Sequence, residues 1–136
     1  SPNPQPVALV IDDEVQIRTV YRMMLVTALP NIKIDQACNG LEAVRLFREG
    51  HHGLILMDLR MPELGGVEAF QAIQKFCEES SLVVPPVVFC TGFAPTNAVG
   101  QIVGEGTYHG LLLKPARSAE IIEAVTSRLK LVIPEP

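Results

Sequence analysis

The sequence predicts an α/β domain built on a doubly wound, five-stranded parallel sheet, a (βα)5 unit. Short apolar runs alternate with helix-period segments along most of the chain. The runs 54–57 and 87–90 contain no polar residue, so both faces of each strand need cover, as in a parallel sheet with helices on both sides. Right-handed crossovers then give strand order 2-1-3-4-5, a switch point between strands one and three, and ligand binding beyond the carboxyl ends of the strands.

Each element has its own signal. Val7–Ile11 is an apolar strand ending in acids. Over residues 14–29 the apolar side chains Ile17, Val20, Tyr21, Met24, Leu25 and Ala28 recur at helical spacing, and Pro30 stops the helix. Residues 32–37 form strand two. Asn39 caps the second helix, with Glu42 three residues on, and Gly50 marks its end. Strand three is 54–57. The third helix, 67–79, buries Phe70, Ile73 and Cys77. Strand four is 87–90. Residues 96–103 carry Gly100 and run into Gly104 and Gly106, so a short fourth helix is expected, since each interior Gly costs about 1 kcal/mol relative to Ala. Strand five is 111–113, and Ser118 caps a last helix with Ile121, Ile122, Val125 and Leu129 on one face. Residues 1–6 read as a disordered tail, 7–130 as the domain, and 131–136 as a tail or the start of a linker.

Composition narrows the function. The chain has 136 residues, 48% apolar and 19% charged, enough for one core without disulfide or metal support. No apolar run approaches the length of a bilayer span, and no secretory signal is visible. The first residue is Ser, which reads as an excised or processed fragment. Fifteen acidic residues against 11 basic ones make direct nucleic-acid binding by this domain unexpected. Cys38, Cys77 and Cys90 are widely spaced and read as reduced, buried thiols of a cytoplasmic protein. His51, His52 and His109 read as solvent-facing loop residues, and Met23, Met24 and Met61 as packing.

Chemistry gathers at one rim. Asp12 and Asp13 end strand one, Asp58 ends strand three, Thr91 ends strand four, and Lys114 with Pro115 ends strand five. Three crowded carboxylates repel one another, so one must be protonated or a cation must sit among them. An all-oxygen donor set suits a hard divalent ion, best Mg²⁺. Asp13 and Asp58 are the expected direct ligands, with Asp12 acting through water and the Arg60 backbone carbonyl completing the protein share. Asp58, at the centre, is the candidate nucleophile toward a phosphoryl group. The cation, Lys114 and Thr91 with nearby amides would each cover one equatorial oxygen. Gly92 leaves room for the phosphoryl group, and Pro62, Gly65 and Gly66 shape the loop beside Asp58.

These residues resemble a known family. Val10-Ile11-Asp12-Asp13-Glu14, Met57-Asp58-Leu59-Arg60-Met61-Pro62 with Gly66, Thr91-Gly92 and Lys114-Pro115 look like the receiver domain of two-component response regulators, from about Val7 to Leu129. The resemblance implies a flavodoxin-like fold and a phosphoprotein that accepts a phosphoryl group on Asp58, as 4-aspartylphosphate. The donor would be a histidine kinase or a histidine phosphotransfer domain. It implies that Thr91 moves toward the phosphoryl group, that Lys114 pairs with it, and that Pro115 follows a cis peptide which aims Lys114 inward. It implies a signalling phosphoacceptor in the cytoplasm that catalyses only its own phosphorylation and dephosphorylation, with no membrane partner, and a monomer when isolated. Arg60 and Phe93 would flank the path of the hydrolysing water and lengthen the life of the aspartyl phosphate.

The chain departs from the pattern in three places, one of them a Gly-rich fourth-helix region without the charged face that some members use to dimerise. Leu111 stands where the family usually has Tyr or Phe, and Ala116 where Phe often follows Lys-Pro. The departure at Leu111 leaves open a pseudo-receiver, the same fold used only for docking. A flavin or nucleotide binder would want a Gly- or Ser/Thr-rich first loop, and here Asp12-Asp13-Glu14 repels phosphate. A phosphatase of the haloacid dehalogenase kind would carry a DxD on strand one, which this chain lacks.

Overall fold

β-Branched and aliphatic residues at the start of the chain build β1 (Val7–Ile11), whose neighbours are β2 (Lys33–Ala37) on one side and β3 (Leu54–Asp58) on the other, both parallel. β4 (Val87–Thr91) and β5 (Gly110–Leu113) complete the sheet in the order β2-β1-β3-β4-β5, as expected from the sequence. This computed structural model describes residues 6–132. The expectations for 1–5 and 133–136 lie outside the described residues.

Five helices follow the strands: α1 (Val15–Ala28), α2 (Gly40–Gly50), α3 (Gly66–Glu79), α4 (Asn97–Val103) and α5 (Ser118–Val132). Strand side chains alternate between two cores. Ala8, Val10, Leu54, Leu56, Val88 and Cys90 pack with Leu25 of α1 and Ile121 and Val125 of α5. Leu9, Ile11, Ile55, Met57, Val87 and Phe89 pack with Phe47 of α2 and Phe70 and Ile73 of α3. Central β3 and β4 are buried along their whole length, which accounts for their unbroken apolar sequence.

Local chemistry sets the helix ends. The Asn39 side chain accepts from the Glu42 N–H at 2.8 Å, the expected cap, while Glu42 accepts from the Cys38 thiol at 3.3 Å instead of closing the box. Thr96 caps the short α4 through the Val99 N–H. Ser118 is the first helical residue of α5, not its cap; the Glu120 carboxylate accepts from the Arg117 N–H at 3.1 Å and ties the preceding residue to the first turn. α5 runs to Val132, two residues past the expected domain end, and the Pro6 carbonyl accepts from the N–H of Lys33 at the start of β2 at 2.8 Å.

Two histidines correct the sequence reading. His52 is buried against Phe47 and Gly50 of α2, with Nε2 2.7 Å from Asp35 Oδ2 on the edge strand β2. His109 is half-buried; its Nδ1 accepts from the Val87 N–H at 3.0 Å, and burial lowers its pKa. His51 is exposed in a left-handed turn after α2, as expected of a loop residue. The three cysteines are free; Cys77 and Cys90 are buried and Cys38 is half-buried. Among the described residues no helix is long and apolar enough to cross a membrane.

Candidate functional site at the carboxyl rim

Strands β1, β3, β4 and β5 deliver Asp12, Asp58, Thr91 and Lys114 to one rim, because parallel strands end on the same side of the sheet. Asp12 is 1% exposed, and each of its polar atoms has a partner. Its N–H donates to the Ala37 carbonyl at 3.2 Å and its carbonyl accepts from Arg18 Nη1 at 2.6 Å. Its Oδ1 accepts from the Glu14 N–H at 2.9 Å and its Oδ2 from Lys114 Nζ at 2.9 Å. The Asp13 side chain is exposed at the same rim.

Asp58 ends β3 and is 8% exposed. Its Oδ2 accepts from Lys114 Nζ at 3.2 Å and its Oδ1 from the Arg60 N–H at 3.3 Å. Lys114 thus bridges two buried carboxylates from β1 and β3. The Lys114 N–H donates to the Thr91 carbonyl at 2.7 Å, and the Lys114–Pro115 peptide is cis. Thr91 is buried, and its Oγ1 accepts from the Phe93 N–H at 3.1 Å. A Cβ on Gly92 would meet only Lys114 Cβ, at 4.0 Å, so the space above Thr91 is open. A Cβ on Gly66 would fall 2.6 Å from the Asp58 carbonyl oxygen, which is why the loop of Pro62, Gly65 and Gly66 closes tightly behind Asp58.

The charges shift one another. Burial pushes the Asp58 carboxyl above the usual aspartate range; the Lys114 hydrogen bond pulls against it and the Asp12 charge adds to it. Burial alone would lower the Lys114 ammonium, but its bonds to Asp12 and Asp58 outweigh that and hold it above the usual lysine range. The Cys90 thiol, behind Thr91, is pushed up to about 12 by burial, which makes it an inert packing group.

Carboxylate oxygens of Asp12, Asp13 and Asp58 lie within 4.8 Å of one another. That all-oxygen set fits a hard divalent cation. Arg18 was missed in the sequence, although a cation in the first turns of a helix opposes the helix dipole and so needs a local partner.

Two features flank the site. Arg60 Cζ lies 3.7 Å from the centroid of the exposed Phe93 ring. Beside Lys114, an apolar groove of about 450 Å³ is lined by Ile17, Val20, Tyr21, Lys114, Pro115 and Ala116. Tyr108 does not stand in for the aromatic missing at 111: its hydroxyl donates to the Val84 carbonyl and its own carbonyl accepts from Arg128 Nε at 2.9 Å.

Residues 8–126 match the response regulator receiver domain family. The transcriptional regulatory protein LiaR of Bacillus subtilis is 35% identical over 123 residues, 90% of this chain and 55% of that protein. The chemotaxis protein CheY of Halobacterium salinarum is 27% identical over 121 residues, 89% of this chain and 94% of that one. The chain spans about half the length of relatives such as LiaR. Among solved structures, the receiver domain of Ssk1, crystallised with the histidine phosphotransfer protein Ypd1 of Saccharomyces cerevisiae, superposes with a TM-score of 0.79 at 22% identity, covering 99% of this chain and 97% of that one.

Proposed function

The chain belongs to the response regulator receiver domain family of two-component signalling, and on that premise we propose that it is a Mg²⁺-dependent phosphoacceptor. One observation carries the reading: Lys114 Nζ bridges the buried Asp12 and Asp58 while Asp13 completes a carboxylate cluster 4.8 Å across. Asp13, Asp58 and the Arg60 carbonyl would hold Mg²⁺, with Asp12 acting through water. When bound, the ion neutralises the cluster and covers one phosphoryl oxygen. Asp58 attacks the phosphorus of a phosphohistidine. A P–O bond forms as the P–N bond breaks, and the imidazole leaves with the electron pair and takes up a proton. Lys114 turns from Asp58 toward a second oxygen, and Thr91 with the amides beside Gly92 covers the third.

The donor is a histidine kinase or histidine phosphotransfer domain. The apolar groove beside Lys114 supports that reading, since a helix seated there brings an imidazole close to Asp58. The domain catalyses only its own phosphorylation and dephosphorylation, works in the cytoplasm, is a monomer when isolated, and touches neither membrane nor nucleic acid. The competing reading, a docking module that is never phosphorylated, is favoured by Leu111 and by the pinned Tyr108. Beryllofluoride with Mg²⁺, a stand-in for the phosphoryl group, separates the two. The phosphoacceptor shifts the amide resonances of Thr91 and Lys114; the docking module leaves them in place.

Arg60 and Phe93 set the lifetime. Their stacked pair supports this reading, since a cover of that size beside Asp58 would obstruct an incoming water. Arg60→Asn combined with Phe93→Ala is expected to speed loss of the phosphoryl group, because water then reaches Asp58 more freely. An unchanged half-life in a chase with unlabelled donor would contradict the shielding role.

A further inference from the structure

We propose that Arg18 is a positioning residue for the metal ligand Asp13, acting through the Asp12 carbonyl. The inference rests on the Mg²⁺ reading of the carboxylate cluster. Arg18 is the fourth residue of α1, where the positive end of the helix dipole disfavours a cation. It stays because Nη1 donates to the Asp12 carbonyl at 2.6 Å, a short charge-assisted bond. That carbonyl is one end of the peptide plane whose other end is the Asp13 N–H. The Asp12 N–H is tied to Ala37 and its carboxylate to Glu14 and Lys114. The Arg18 N–H donates to the Glu14 carbonyl at 3.2 Å, so the guanidinium closes a ring from Asp12 through Glu14 to Arg18. Asp13, in contrast, is exposed and has no core packing to aim it. Its carboxylate direction therefore depends on the peptide that Arg18 holds.

Charge and geometry predict opposite signs, which makes the idea testable. A guanidinium near the cluster repels a dication, so on charge alone its removal should tighten Mg²⁺ binding. If positioning dominates, removal should weaken it. The test is calorimetric titration of the metal-free chain with Mg²⁺, for wild type, Arg18→Met and Arg18→Lys, with amide hydrogen exchange on each. Arg18→Met is expected to bind Mg²⁺ roughly tenfold more weakly, the usual cost of removing a group that orients a metal ligand. Arg18→Lys keeps the charge and a donor and is expected to regain most of that loss. Exchange should rise at Asp13 and Glu14 in the Met variant and stay unchanged at Leu56 and Val88 in the core.

Equal or tighter binding by Arg18→Met overturns the proposal. So does a Lys variant as weak as the Met variant, or an exchange increase shared by Leu56 and Val88, which marks general unfolding. A wild-type chain that binds no Mg²⁺ overturns the metal reading and this inference with it; a wild-type chain that binds, beside an unaffected Arg18→Met, overturns this inference alone.

Discussion

Lys114→Met is expected to slow phosphorylation of the domain by about 10²–10³-fold, the usual cost of losing one preorganised donor to transition-state charge. The same change is expected to destabilise the metal-free fold by about 3 kcal/mol, because it leaves the buried carboxylates of Asp12 and Asp58 without their shared counter-ion. Met preserves the stem's packing, so the loss isolates the ammonium. Two measurements check this. Thermal melts with EDTA should show the large loss, and melts with Mg²⁺ a smaller one, because the ion takes over neutralisation. The pH profile of phosphorylation should also move to higher pH, since the Lys114 bond is the main influence holding the Asp58 carboxyl down against burial. Equal destabilisation with and without Mg²⁺ would contradict the shared electrostatic role.

Asp58→Asn is expected to abolish phosphoryl uptake and at the same time raise stability by about 1 kcal/mol. The amide is a poor nucleophile. It also removes a buried charge that Asp12 repels, while the Lys114–Asp12 pair at 2.9 Å remains. Burial holds the folded Asp58 carboxyl above its unfolded value. The folded state therefore binds that proton more tightly than the unfolded chain. Relative to the protonated form, stability is present below the unfolded pKa and is lost as pH rises through the folded one. The gain from Asn should thus be full near neutral pH and shrink as the solution is acidified through the folded value. Melting curves at neutral and mildly acidic pH check the sign; a gain that grows on acidification would contradict it.

Much of this was legible in the sequence, for physical reasons that differ by residue. Strands buried on both faces must be wholly apolar, so the runs before Asp58 and Thr91 stand out. A parallel sheet then places the residues ending those runs at one rim, which is why Asp12, Asp58, Thr91 and Lys114 could be grouped without coordinates. Gly100, Gly104 and Gly106 likewise pointed to a short fourth helix, and it spans seven residues. What stayed hidden depends on partners far away in the chain. His52 follows a helix and precedes a strand, a place where loop histidines are usually wet; it is buried beside Phe47 and Gly50 and pairs with Asp35 of the edge strand. His109 is held by the Val87 backbone, which no side-chain pattern records. Arg18 faces a carbonyl, a group every residue has, so its role has no signature in residue types. The stacking of Arg60 on Phe93 joins side chains from two different loops, a contact neither loop's sequence indicates.

The central claim is that a metal-neutralised carboxylate cluster lets Asp58 capture a phosphoryl group. Intact-mass spectrometry of the wild-type chain after incubation with acetyl phosphate tests it most directly, run with Mg²⁺ and with EDTA and followed by peptide mapping. The account predicts a mass gain of one phosphoryl group with Mg²⁺, none with EDTA, and the adduct on the peptide that contains Asp58. No gain with Mg²⁺, a gain that survives EDTA undiminished, or an adduct on any other residue would contradict it.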